Sequence, residues 1–366
     1  MRTSGLTLEE TDHLLSSAKN RDLGYHQVLS SMCTMPHPVA VKAHMMFLES
    51  NLGDPGLFRG SYELETLLVQ RLAGLMHGPS AEGYGTSGGT ESNLQAMRVA
   101  RERKKLKCPN IVVPASAHFS FEKACRILSL EMRTVPSDES CCMNPDLVED
   151  QIDKNTIALV GVAGSTEYGT VDPIAHLSDI AGDRDLFLHV DAAFGGLVLP
   201  FLPHPPAFDF LLPGVDSISI DPHKMGMSTI PCGCFLLRDA DDFRHLGVDT
   251  PYLTVKREYT LAGTRSGAAV VAAAAVLEHL GTDGMRSIVT TCMDNTHYLI
   301  EKMASLGFPV IVTPDVNVAA FDCPLRPEGW VVSTTRNGHM RIVCMPHVTR
   351  PVLDAFIAAL EVQAHV

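Results

Sequence analysis

The chain has 366 residues and is 45% hydrophobic, enough to bury a large core in one unit with a main domain and a smaller lobe. A formal net charge of −13 argues against binding a nucleic-acid backbone, which wants clustered Lys and Arg, and favours small metabolites as partners. No apolar run reaches about 18 residues and the opening MRTSGLTLEETDHLL lacks a signal peptide's apolar core, so the expectation is a soluble, cytoplasmic chain with no membrane partner.

The first 50 residues, MCTMPHP included, read as a helix and an arm that must pack on something. Next, GYGTSGGTESNLQA sets Gly85, Gly88 and Gly89 with Thr86, Ser87 and Thr90 just before the helical stretch TESNLQAMRVARERKKL. Backbone amides at a helix start, with hydroxyls beside them, suit a phosphate; a tight turn with an N-cap is the plainer alternative. The runs NIVVPAS, TIALVGVAG, LFLHVDAA, SISID and CGCFLLRD alternate with helix-like segments, a rhythm that implies crossover connections and a mostly parallel α/β sheet.

Past about Thr250 the texture changes. GAAVVAAAAVLEHL is too short for a membrane span and ends at Glu278 and His279, so it reads as a buried packing helix. VNVAAFDCP, GWVVSTT, HMRIVCMP and a last helix then suggest a small α+β lobe. The expected division is an N-terminal arm over 1–50, a large domain over 51–255 and a small domain over 256–366. Of the ten cysteines, Cys141 and Cys142 are adjacent, one residue separates Cys232 from Cys234, and the others are scattered. No paired CxxC pattern emerges, so reduced, largely core cysteines and no metal are expected.

Two positions carry unusual chemistry. In SISIDPHKMGM, Lys224 follows alternating apolar residues and precedes Met225 and Gly226, which predicts a semi-buried amine. A lysine deprived of water titrates lower, and its neutral amine attacks a carbonyl to form a Schiff base. In LFLHVDAAFGG, Asp191 ends an apolar strand, where an unpaired carboxylate is costly and needs a cationic partner. A pyridinium nitrogen is such a partner; an exposed strand-end aspartate or an N-cap is the alternative. A phosphate-type loop, an aspartate on one strand end and a lysine on a later one are the three anchors of pyridoxal phosphate, and strand ends of a parallel sheet converge on one crevice.

The motifs GTSGGTESN, AHFSFEKA, HVDAAFGG and SISIDPHKMG resemble the group II pyridoxal-phosphate-dependent amino-acid decarboxylases. MPHP, NLGDPGLF, GTRSGA and MRIVCMPHVT narrow the resemblance to the archaeal L-tyrosine/L-aspartate decarboxylase family, from about Met32 to Thr349. It implies a fold-type-I architecture with a seven-stranded sheet, pyridoxal 5'-phosphate as cofactor, a carboxy-lyase reaction, and a homodimer with shared active sites. Tyrosine would give tyramine, used for methanofuran, and aspartate would give β-alanine, used for coenzyme A.

Carried over by position, the resemblance makes Lys224 the residue that bonds the cofactor and Asp191 the partner of its ring nitrogen. His118 would stack on one ring face and Ala193 on the other; Ser87, Gly88 and His223 would meet the phosphate, with Asp221 a further contact. In GSTEYGT either Ser165 or Thr166 would face the ring hydroxyl. Arg341 reads from its strand as either a solvent-facing residue or a buried carboxylate clamp, and the resemblance favours a clamp on the substrate's α-carboxylate. Thr264 would reach the phosphate of the neighbouring subunit, Tyr252 or Tyr259 would supply the proton to Cα, and His37 would line the pocket. Rival readings are a desulfurase, aldehyde-lyase or aminotransferase on the same scaffold, and a cofactor-binding partner protein without catalysis.

Overall fold

The computed structural model describes residues 1–364. After helices α1 (Leu8–Lys19), α2 (Pro38–Met46) and α3 (Arg59–Leu75), strands and helices alternate: β1 (Glu82–Thr86), α4 (Gly89–Lys104), β2 (Asn110–Pro114), α5 (Ser120–Leu128), β3 (Glu131–Val135), β4 (Thr156–Val162), α6 (Ile174–Arg184), β5 (Phe187–Asp191), β6 (Val215–Ile220) and β7 (Gly233–Leu237). These strands form one seven-stranded sheet in the order β1-β7-β6-β5-β4-β2-β3, parallel except for β7, which runs antiparallel to both neighbours.

Every residue of β2, β4 and β5 is buried, which is why these strands read as continuous apolar runs: helices cover both faces of a parallel sheet. The two edge strands lack that signature. β1 is glycine-rich EGYGT, and β3, EMRTV, buries only Val135.

A short hairpin follows, β8 (Val248–Asp249) with β9 (Arg257–Glu258), and then the long helix α7 (Gly267–Ser305). Gly281, at φ 57 and ψ −169, breaks α7 into two helices in a conformation essentially reserved for glycine. The alanine-rich first half buries Ala268 to Ala274 and Val276, with Val271, Ala272 and Val276 packed against Ala40 and Ala43 of α2. The chain closes with a three-stranded antiparallel sheet, β10 (Val318–Phe321), β12 (Met340–Val343) and β11 (Ser333–Thr334), where β12 is central, and with α8 (Arg350–Ala364). No described helix is long and apolar enough to cross a membrane.

The N-terminal arm divides in a way its sequence did not suggest. α1 has a complete capping box between Thr7 and Glu10 yet buries none of its residues, leaving Leu8, Leu14 and Leu15 exposed. The packing falls instead to the segment after it, where Leu29 is fully buried and Thr34 nearly so. All ten cysteines are free thiols and six of them, Cys125, Cys232, Cys234, Cys292, Cys323 and Cys344, are buried. Among the described residues no group of three or more His, Cys, Asp or Glu stands close enough to hold a metal ion.

Candidate active site

Asp191 ends β5, Lys224 lies in the loop after β6, and α4 begins just past the end of β1, so three chain segments meet at the C-terminal ends of the parallel strands. A cavity of about 300 Å³ opens there, lined by Ser87, Gly88, His118, Thr166, Asp191, Ala193, Asp221, His223 and Lys224, all expected, and by Asn93, Ser116 and Phe119, which sequence reasoning missed. Thr166 lines the cavity and Ser165 does not: the Ser165 hydroxyl is buried 3.0 Å from Thr170 Oγ1 and accepts from the Thr170 amide at 3.2 Å.

The Lys224 side chain is 18% exposed and its Nζ donates to Asp221 Oδ2 at 3.1 Å. Burial pushes its pKa down, as the sequence implied, but the carboxylates of Asp221 and Asp191 push harder the other way. The amine is therefore held above the ordinary lysine value, which corrects the expectation of a low-titrating lysine. The ion pair with Asp221 thus holds the ammonium form, and the amine acts as a nucleophile only once that proton is lost.

Asp191 is the best-held group in the cavity. Asn93 Nδ2 donates to its Oδ2 at 2.8 Å, while Ser219 Oγ (3.2 Å) and the Ala193 amide (3.1 Å) donate to its Oδ1. His189 Nε2 donates in turn to Asn93 Oδ1 at 2.9 Å, which leaves His189 Nδ1 to accept from Ser217 Oγ at 2.8 Å. Burial pushes the His189 pKa down to about 4, so the ring stays neutral and this one tautomer persists. The signal for His189 was present in the sequence, since residues two apart on a strand share a face and His189 precedes Asp191 by two.

His118 accepts from the Ser120 amide through Nδ1 at 3.2 Å, which places its ring proton on Nε2. Burial lowers its pKa, with Asp191 pulling partly the other way, so the ring meets the cavity as a neutral plate. At the start of α4, Gly88 takes φ 135, which side chains avoid, and a Cβ on Gly89 would stand 3.1 Å from both Ala193 Cβ and Asp221 Oδ2. Ser87 turns its amide and hydroxyl inward, both donating to Glu91 Oε2 at 2.8 Å.

The residue set fits pyridoxal phosphate. A helix N-terminus faces a cavity that also holds a buried carboxylate and a lysine, and two buried polar atoms of that cavity, Ser116 Oγ and Asp221 Oδ1, have no partner within the chain.

Four expected residues lie outside the cavity lining within one chain. Arg341 Nη1 donates to Ser333 Oγ (2.9 Å) and Nη2 to Ser30 O (3.1 Å), while its Nε is buried without a partner. Tyr252 is 84% exposed on the hairpin loop, and Thr264 is exposed beside Arg265, which is buried against Glu65. His37 caps α2 by accepting the Val39 amide at 3.2 Å and rests against the His279 ring. The alternative tyrosine, Tyr259, accepts from Gln95 through its carbonyl and packs on Phe243.

The conserved domain of pyridoxal-dependent decarboxylases matches residues 60–322. The chain belongs to that family. It is similar to a probable L-tyrosine/L-aspartate decarboxylase of Methanoculleus marisnigri, 66% identical over 357 residues and 98% of each chain. Among solved structures it is similar to a glutamate decarboxylase of Lactobacillus brevis (25% identity, TM-score 0.91, covering 100% of this chain and 93% of that one). It is also similar to a sphingosine-1-phosphate lyase of Burkholderia pseudomallei (28% identity, TM-score 0.92, covering 100% and 92%). The decarboxylase is thus a pyridoxal-phosphate-dependent carboxy-lyase acting on an amino acid. When bound, the cofactor supplies a protonated ring that takes up the electron pair released as carbon dioxide departs.

Proposed function

We propose that the decarboxylase converts L-tyrosine to tyramine, L-aspartate to β-alanine, or both, as a cytoplasmic homodimer whose products serve methanofuran and coenzyme A synthesis. The observation that carries the reading is the convergence of Lys224, Asp191 and His118 on one cavity, in a chain 66% identical to a relative whose name holds both substrates. In this reading Lys224 bonds the cofactor, Asp191 keeps its ring nitrogen protonated, and His118 and Ala193 take the two ring faces. Ser87, Gly88 and His223 hold the phosphate, Thr166 meets the ring hydroxyl, and Asp221 is a further cofactor contact paired with Lys224.

Arg341 clamps the α-carboxylate, and its surroundings support that role. The guanidinium bonds only neutral acceptors, burial lowers its pKa, and Glu167 offsets that only in part. A buried cation without an anion in contact is costly, and a substrate carboxylate relieves that cost. Tyr252 and Thr264 serve the site of a second copy, with His37 at the pocket rim. Exposed Met45, Met46, Leu48 and Leu57 supply apolar surface for such a partner.

The test has two parts. Borohydride reduction of the cofactor-loaded protein should fix the cofactor's mass on the peptide containing Lys224; labelling elsewhere, or none, overturns the anchor. Product assays with tyrosine, aspartate and glutamate should show carbon dioxide and the matching amine from tyrosine or aspartate. Release from neither of those two overturns the substrate reading, and sulfide, aldehyde or a keto acid as product would favour a different lyase or transferase.

A further inference from the structure

Residues 27–37 form a strap that leaves the small sheet and ends beside the catalytic lysine. At one end the Leu29 amide donates to Val331 O, and the Val343 amide of β12 donates to Leu29 O, both at 2.8 Å. At the other end the His37 amide donates to Met227 O at 2.9 Å, three residues after Lys224. Between them Ser31 and Cys33 knit a turn, with Ser31 Oγ donating to Cys33 O at 2.9 Å and accepting the Cys33 amide at 3.0 Å. The strap passes near the reacting amine: burial raises the Cys33 thiol's pKa, and the charges of Lys224 and Asp221 both reach it.

One side chain ties the strap down. His347 is 8% exposed, and its Nε2 lies 2.9 Å from Val28 O, an atom that only accepts. Nε2 therefore carries the proton, and Nδ1 accepts from the Thr34 hydroxyl at 2.9 Å. A single imidazole thus closes the loop 28–34, with Tyr25 packed on it at 4.7 Å between ring centres. That loop contains Ser30, whose carbonyl is one of the two acceptors holding the Arg341 guanidinium. The other acceptor, Ser333, lies on β11, which pairs with β12.

We propose that His347 is a positioning residue for the substrate carboxylate: by closing the strap it fixes Ser30, and through Ser30 it sets the direction in which Arg341 presents its guanidinium. The proposal rests on the reading of Arg341 as the carboxylate partner. Decarboxylation depends on that direction, because the bond that breaks is the one held perpendicular to the cofactor ring, and near-attack geometry tolerates little misplacement. His347 touches neither substrate nor cofactor in this arrangement.

The test compares His347→Leu, which removes both hydrogen bonds, with His347→Gln, whose amide donates to Val28 O and accepts from Thr34, all as cofactor-loaded protein. His347→Leu should keep the cofactor's absorbance, lose hydrogen-exchange protection over 28–34, and raise KM about 10-fold or more while kcat changes less. Binding of the amine-free substrate analogue, 3-(4-hydroxyphenyl)propionate or succinate, should weaken by a similar factor, and His347→Gln should recover most of both. If His347→Leu fails to fold, Thr34→Val, which removes only the hydroxyl, should show the same KM shift at about threefold or more. An exposed strap with unchanged KM and analogue binding overturns the proposal. Arg341→Met separates the two claims: normal KM there removes Arg341 as the carboxylate partner, and a raised KM there with an unchanged one in His347→Leu removes only the positioning role.

Discussion

On the cavity floor Asp191 accepts three hydrogen bonds from its own chain, and behind it stands a neutral, fully buried histidine; on the proposed substrate side Arg341 has two neutral acceptors and Tyr252 is 84% exposed. The floor is a parallel-sheet crevice whose Asp191 carboxylate is held by its own chain before any ligand arrives, so its geometry belongs to the single chain. The substrate side is assembled from a strap, the small sheet and the surface from which a second copy would be met. A change on the floor should therefore act on cofactor chemistry or folding, and a change on the substrate side on capture and specificity.

The sharpest cut is Lys224→Ala. It should abolish turnover, measured as carbon dioxide release, because neither Asp221 nor any other group in contact offers an amine; residual turnover near the parent level would break the floor as described. Next comes Arg341→Met, expected to keep the cofactor's absorbance while kcat/KM falls by roughly 30-fold to several thousandfold, since losing one partner of a buried charged pair costs about 2–5 kcal/mol. Arg341→Lys should recover little, because an ammonium does not reproduce a planar two-point hold. A near-normal kcat/KM in Arg341→Met would shift the carboxylate partner elsewhere.

A third test probes how dry the floor is. The His189 pKa falls on folding to about 4, so the unfolded chain binds the extra proton, and stability drops as pH falls from about 6.5 towards 4, by up to about 3 kcal/mol. Asp172, which burial raises to about 6 against the amides of Met143 and Val162, works the other way: the folded state binds the extra proton, and stability grows as pH falls from about 6 towards 4. Urea midpoints at pH 7 and pH 5 should therefore separate parent from His189→Gln, the variant losing less on acidification or even gaining. Identical slopes would mean that His189 is hydrated.

The smallest signal comes from a test of the proposed homodimer. Combining Lys224→Ala chains with Thr264→Ala or Tyr252→Phe chains should return about a quarter of parent activity, because half the dimers are mixed and one site in each is whole. Mixtures no better than their parents would confine each site to one chain.

Much of the floor was legible in the sequence because it depends on strand ends. Asp191 closes an apolar run and Lys224 follows one by a short turn, and β2, β4 and β5 are buried along their whole length. β1 and β3 were not legible, being a glycine-rich edge and a charged edge that lack the apolar pattern. The upward shift of Lys224 was hidden because a tight turn brings Asp221 Oδ2 within 3.1 Å of it, a matter of backbone path. The same holds for Asn93 and His189, polar residues whose partners are chosen only when α4 meets β5. On the substrate side, MCTMPHP announced an arm and nothing in it announced His347, more than 300 positions away in sequence.

The reversed strand β7 joins a contact local in sequence to a distant one. Because it lies beside β6, Lys224 sits in a short loop between sequence neighbours, and that hairpin closes locally. The phosphate loop is different: Thr86 pairs with Gly233, about 150 positions on, so its strand docks only after a long excursion of chain has been gathered in. The loop that holds Lys224 is thus closed by a pairing local in sequence, and the loop at the start of α4 by a distant one. Cofactor that binds only the folded chain should stabilise it by about 2.7 kcal/mol at a concentration 100 times Kd.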